Sequence, residues 1–75
     1  MDLSLVNTHQ KVLIKAINAQ NTLKKRLLSL GFCVGKTVEV LETSLQKNTI
    51  QLSIGFSSIA LRFEEAKMIE VEVKE

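Results

Sequence analysis

The sequence predicts an all-β fold: a small barrel of about five short strands, with one short α-helix at about 21–31 and a helical turn near 64–67. Three observations carry this expectation. Short stretches alternate apolar and polar residues with period two, most cleanly IEVEV at 69–73. Leucines at helical spacing are confined to one segment, Leu23 to Leu30. A chain of 75 residues has room for one core only, so residues 1–75 are expected to form a single domain.

In chain order, KVLIKAIN at 11–18 places Val12, Ile14 and Ala16 on one face and Leu13, Lys15 and Ile17 on the other, a strand with at least one side buried. Residues 19–21 are turn-like, and Asn21 or Thr22 can cap the helix that follows. Within it, Leu23, Leu27 and Leu30 form a narrow stripe, and Gly31 stands where a left-handed residue closes a helix at little steric cost. Leu28 points away from the stripe, between Lys24 and Lys25. Gly35 suits the positive-φ position of a turn. KTVEVLE and NTIQLSIGF then read as an antiparallel hairpin across the polar connection 44–48, with Val38, Val40, Ile50, Leu52 and Ile54 inward. Gly55 suggests a bulge or bend that curls the sheet. SSIALRF is a fourth strand, residues 64–67 one helical turn, and 69–73 a last strand with Ile69, Val71 and Val73 inward.

Composition excludes several classes of function. The hydrophobic content is 45%, mostly Leu, Ile and Val, with no Trp, Tyr or Pro. Proline-peptide grooves of the kind lined by Trp and Tyr are therefore excluded. The single Cys33 forms no internal disulfide, which fits a reducing compartment. The N-terminus lacks the basic start and apolar run of a secretory signal, and no apolar segment approaches the ~20 residues of a membrane span. A cytoplasmic location is expected. The net charge of +2 is uneven, +5 over residues 1–36 and −3 over residues 37–75. Such a dipolar chain suits a charged partner surface better than general polyanion binding.

No catalytic constellation emerges, because His9 is the only histidine. His9 and Cys33 lie twenty-four residues apart without neighbours that would complete a ligand set, so no resident metal or other cofactor is expected. Glu64 and Glu65 are adjacent carboxylates on a turn, an ordinary solvated arrangement. Cys33 is most simply a small core residue. The stretch GFCVGKT at 31–37 is one residue too short between its glycines for a phosphate loop, and it leads into a strand pattern. The three Phe sit in apolar contexts and do not interleave with cations, which disfavours single-stranded nucleic acid.

The order of elements and two sets of residues resemble the FeoA family. LKKRLLSLGF at 23–32 is similar to that family's basic helix ending in Leu-Gly-Phe, followed by Gly35 and the Val-x-Val of Val38-Glu39-Val40. Ala60-Leu61-Arg62, Glu65-Ala66 and Ile69-Glu70-Val71 are similar to its C-terminal elements. There are departures: Thr8-His9 stands where the family usually has Pro-Gly, Val34 replaces the turn proline, and the 44–48 loop lacks Pro and Gly. Each loss leaves a turn less preorganised.

The resemblance implies an SH3-like barrel and a non-enzymatic role: a cytosolic accessory or regulator of ferrous-iron transport. The implied partner is the cytosolic GTP-binding domain of a FeoB-type transporter, and the chain would meet the membrane only through that partner. The candidate partner-binding residues are Lys24, Lys25 and Arg26, which would steer association, and Leu28, which would anchor it. Two plainer readings stay open here. The cations can be a solvated helix face, and Leu28 can belong to a second packing face covered by Leu3 and Leu5. The alternative functions are a small nucleic-acid-binding barrel and a barrel of the metal-repressor type.

Overall fold

The computed structural model describes residues 1–44 and 48–74. Among these, five antiparallel strands form one sheet in the order β4-β3-β2-β1-β5. The strands are β1 (Lys11–Ile17), β2 (Thr37–Thr43), β3 (Thr49–Ile54), β4 (Ser57–Arg62) and β5 (Ile69–Val73). Helix α1 (Asn21–Ser29) connects β1 to β2, the four-residue helix α2 (Phe63–Ala66) connects β4 to β5, and a 3-10 turn (Leu3–Leu5) precedes β1. The all-β barrel with one short helix and a helical turn is the fold expected. No ladder joins β4 to β5 among the described residues, and α2 spans between them with Ala66 fully buried.

One core fills the interior. Val12 and Ile14, Val38 and Val40, Ile50, Leu52 and Ile54, Leu61, and Ile69 and Val71 face inward from successive strands. Leu3, Leu27, Phe32 and Ala66 cap them from the connections. Period-two alternation found all of these strand positions except Leu61, because a residue pair facing across an antiparallel ladder shares one side of the sheet.

Two bulges bend the sheet, and neither lies at Gly55. The β1–β5 register shifts between Ile14 and Ala16, and the β2–β3 register shifts between Val40 and Glu42. The extra residue in each strand reverses the phase of alternation. Ile17, expected on the opposite face from Val12, therefore pairs with buried Ile69 and packs against the core. Gly55, with φ 60°, is instead the first residue of the two-residue connection between Ile54 and Ser57, which face each other across the β3–β4 ladder. A positive φ at that first position is what a tight hairpin compatible with strand twist demands.

The end of β5 also departs from expectation. Val73 lies exposed rather than inward, because it is the last residue of the strand. The outer edge of β5 is covered at its start. Asp2 bridges to Glu70, the Val71 N–H donates to the Met1 carbonyl at 2.8 Å, and the Met1 ammonium pairs with Glu70 at 2.7 Å. Glu70 is thus half-buried and paired, and Glu72 pairs across the sheet with Lys15 at 3.5 Å. Most of the polar connection expected at 44–48 lies outside the described residues.

Candidate functional site

The local sequence builds α1 from its end more firmly than from its start. The residue before the helix is Gln20, in extended conformation, and it makes no side-chain capping bond. Asn21, expected as a cap, instead takes φ 56°, a left-handed conformation that its short amide side chain tolerates. The C-terminus closes in a Schellman motif. Gly31, at φ 102°, donates its N–H to the Leu28 carbonyl at 3.1 Å, and Phe32 donates to the Leu27 carbonyl at 3.0 Å. Leu27 and Phe32, the two apolar residues of that motif, are both fully buried in the same core.

This closure fixes how the helix is rolled on the barrel. Leu27 faces inward with Leu23 and Leu30 packed beside it, as the stripe predicts. Lys24, Lys25 and Leu28 then face outward, with Leu28 47% exposed. Leu3 and Leu5 do not cover it: Leu3 is consumed by the core, and Leu5 is itself exposed. Spacings of three and four residues set Leu28 beside Lys25 and Lys24 on one surface of the helix.

Arg26 is engaged differently from the two lysines. Its Nη1 donates to Oε2 of Glu65 on α2, while Oε1 of the same carboxylate accepts the Arg62 N–H at 3.0 Å. The Glu65 side chain is only 12% exposed, so one carboxylate ties the outer helix to the connection between β4 and β5. No ion pair forms to Lys24 or Lys25 among the described residues. The predicted cationic run is therefore two solvated lysines and one structural arginine that stays half-exposed at 51%.

Two further residues are placed where sequence reasoning did not put them. Cys33 is only partly buried. Phe56 is fully exposed at the tip of the β3–β4 hairpin, whereas Phe32 is buried and Phe63 packs partly against the core. The signal for Phe56 was its position after Gly55: the second residue of a two-residue hairpin has nowhere to bury a side chain.

Among the described residues no three His, Cys, Asp or Glu side chains converge. A cleft lined by Ser4, Leu5, Val6, Asn7, Thr8, Thr43 and Phe63 holds no titratable side chain. A second, beside Thr49 and Gln51, holds only Glu42. No described helix is long and apolar enough to cross a membrane.

The FeoA domain model matches residues 1–73. The chain is 40% identical to Fe(2+) transport protein A of Campylobacter jejuni, over 97% of this chain and 99% of that one. It is 32% identical, over 97% of its length, to 9% of a Fe(2+) transport protein A/Fe(2+) transporter FeoB fusion protein of Porphyromonas gingivalis. Among solved structures, iron(II) transport protein A of Clostridium thermocellum superposes with a TM-score of 0.94 at 33% identity, over 97% of this chain and 45% of that one. Stenotrophomonas maltophilia FeoA, described as a procaryotic SH3 domain protein, superposes at 0.79 with 28% identity, over 96% and 89% of the two chains. A manganese-dependent transcriptional repressor shares the fold alone, with a TM-score of 0.90 at 18% identity over 99% of this chain and 36% of that one.

Proposed function

The chain belongs to the FeoA family, and on that premise we propose that it is a non-catalytic accessory or regulatory protein of ferrous-iron transport, docking from the cytosol on the GTP-binding part of the membrane transporter. The observation that carries this reading is the outer surface of α1. A half-exposed leucine lies between two lysines that have no ion-pair partner among the described residues. Interface centres are built in this way, from an apolar anchor that desolvates on contact and a charged rim that guides approach.

Arg26 serves the docking surface indirectly. Held by Glu65, it ties the helix that presents Leu28 to α2, and its exposed half adds to the positive field. The Porphyromonas relative joins a chain of this kind to the transporter within one polypeptide, which supports association in proteins where the two are separate. Roles in nucleic-acid binding draw less support. The one exposed aromatic, Phe56, is not interleaved with other stacking rings, and the cationic cluster is small.

The test is an amide NMR titration with the purified cytosolic GTP-binding domain of the cognate transporter. Shifts are expected to cluster on residues 21–35. The Leu28→Asp variant should lose at least tenfold in affinity while keeping its fold, since a hot-spot anchor is worth roughly 2 kcal/mol or more. Unchanged affinity in that variant would remove α1 as the docking element.

A further inference from the structure

The end of the barrel that carries Phe56 exposes two apolar side chains, Phe56 and Val34, that the docking reading does not use. Ile54 pairs with Val38, so the turn 33–36 before β2 and the turn 55–56 after β3 leave the sheet side by side on neighbouring strands. The C-terminus of α1 lies at the same end: a methyl group built on Gly31 would sit 3.9 Å from Ile54 Cδ1. Phe56 projects there with its whole side chain in solvent, and Val34 is 63% exposed on the adjoining turn. Each tip is set by a glycine with positive φ, Gly35 at 93° and Gly55 at 60°, which makes the turns tight and fixes where these side chains project.

The turns and the helix here carry cations only, while Glu72, which shares a row of the sheet with Leu13 and Thr37, is paired with Lys15. The segments 21–36 and 55–58 carry Lys24, Lys25, Arg26 and Lys36 and no acidic residue. Arg26 is held by Glu65, while no ion pair forms to the three lysines among the described residues. A protein pocket would have to be preformed to accept an aromatic side chain on a convex tip. A bilayer interface accepts it without one, and lysines near such a tip are attracted to anionic headgroups within a Debye length.

We propose that this end is a membrane-contacting tip, in which Phe56 and Val34 enter the interface of an anionic bilayer, Lys36 meets the headgroups and Lys24 and Lys25 add to the attractive field. The contact is direct and reversible, and it does not rest on docking to a transporter. It differs from the expectation that the chain meets the membrane only through its partner. Leu28, on the outward face of α1, stays available for a protein.

The experiment uses the whole chain and lipid vesicles alone. The protein has no tryptophan, so Phe56→Trp places a single reporter at the tip, where the exposed position tolerates it. Its emission is expected to shift to the blue with vesicles containing about 30% anionic phosphatidylglycerol, and much less with neutral phosphatidylcholine. In co-sedimentation, Phe56→Ser should weaken partition to the anionic vesicles roughly tenfold or more, and Lys36→Ser about fivefold. Emission unchanged at every lipid concentration overturns the proposal, as does partition equal in Phe56→Ser and the parent chain. Equal partition combined with lost binding to the transporter's GTP-binding domain would assign the tip to a protein instead. Failure of Leu28→Asp to affect that domain bears only on the docking reading.

Discussion

Replacing His9 with glycine should make this protein more stable. His9 has φ 71°, the left-handed region, and its N–H donates to the Val40 carbonyl at 2.6 Å, tying the entry to β1 onto β2. A side chain with a Cβ costs roughly 1–2 kcal/mol in that region. Glycine removes that cost but loses about 0.5–1 kcal/mol more backbone entropy on folding. The difference favours His9→Gly by about 0.5–1 kcal/mol. The imidazole is exposed, so its removal leaves no cavity. For a domain of this size such a gain raises Tm by roughly 2–8 °C. Thermal and urea unfolding of the parent, His9→Gly and His9→Ala chains make the comparison. Alanine keeps the Cβ and should show no gain. If alanine stabilised as much as glycine, the benefit would come from losing the imidazole and the backbone argument would be refuted. A fall in Tm for His9→Gly would refute it outright.

Neighbouring leucines should behave oppositely. Leu27→Ala empties a fully buried site and is expected to cost about 2–5 kcal/mol, a large share of the roughly 4–11 kcal/mol available to a chain this short. Leu28→Ala should change stability by less than about 1 kcal/mol in the same urea titration. Glu65→Ala removes the acceptor shared by Arg26 and the Arg62 N–H. It should destabilise by about 1–2 kcal/mol, whereas Glu65→Gln, whose amide oxygen still accepts from Arg62, should lose about half of that. Reversing Lys24 and Lys25 to Glu should slow association with the transporter domain and flatten its salt dependence, with little change in dissociation, as stopped-flow mixing would show. On-rates equal to the parent's would remove these lysines from the steering role.

How much was legible before the structure depends on the range of the interactions involved. Alternation found the inward residues of β2 and β3 and most of those of β5, because the side-chain period of a strand is a local property. The Leu23–Leu27–Leu30 stripe and Gly31 found the helix and its end for the same reason: a Schellman motif involves only six consecutive residues. The unusual backbone at His9 was also foreshadowed, since histidine stands where the resemblance places a glycine. The bulges at Lys15 and Leu41 left no such mark. A bulge inserts a residue without changing composition, and only the partner strand reveals the shift.

The order of elements, the inward faces of β2 and β3 and the closure of α1 at Gly31 all follow from spacing within a few residues. The tertiary structure decided which surfaces were left over. Leu28 faces solvent because Leu3 is spent in the core and Leu5 turns outward, and Arg26 is structural because Glu65, thirty-nine residues later, comes within reach. Phe56 is bare because Gly55 closes a two-residue hairpin instead of bending a strand. The outcomes at Leu28 and Arg26 depend on residues distant in sequence, and periodicity, which reports only near neighbours, carries no information about which of two exposed faces will find one.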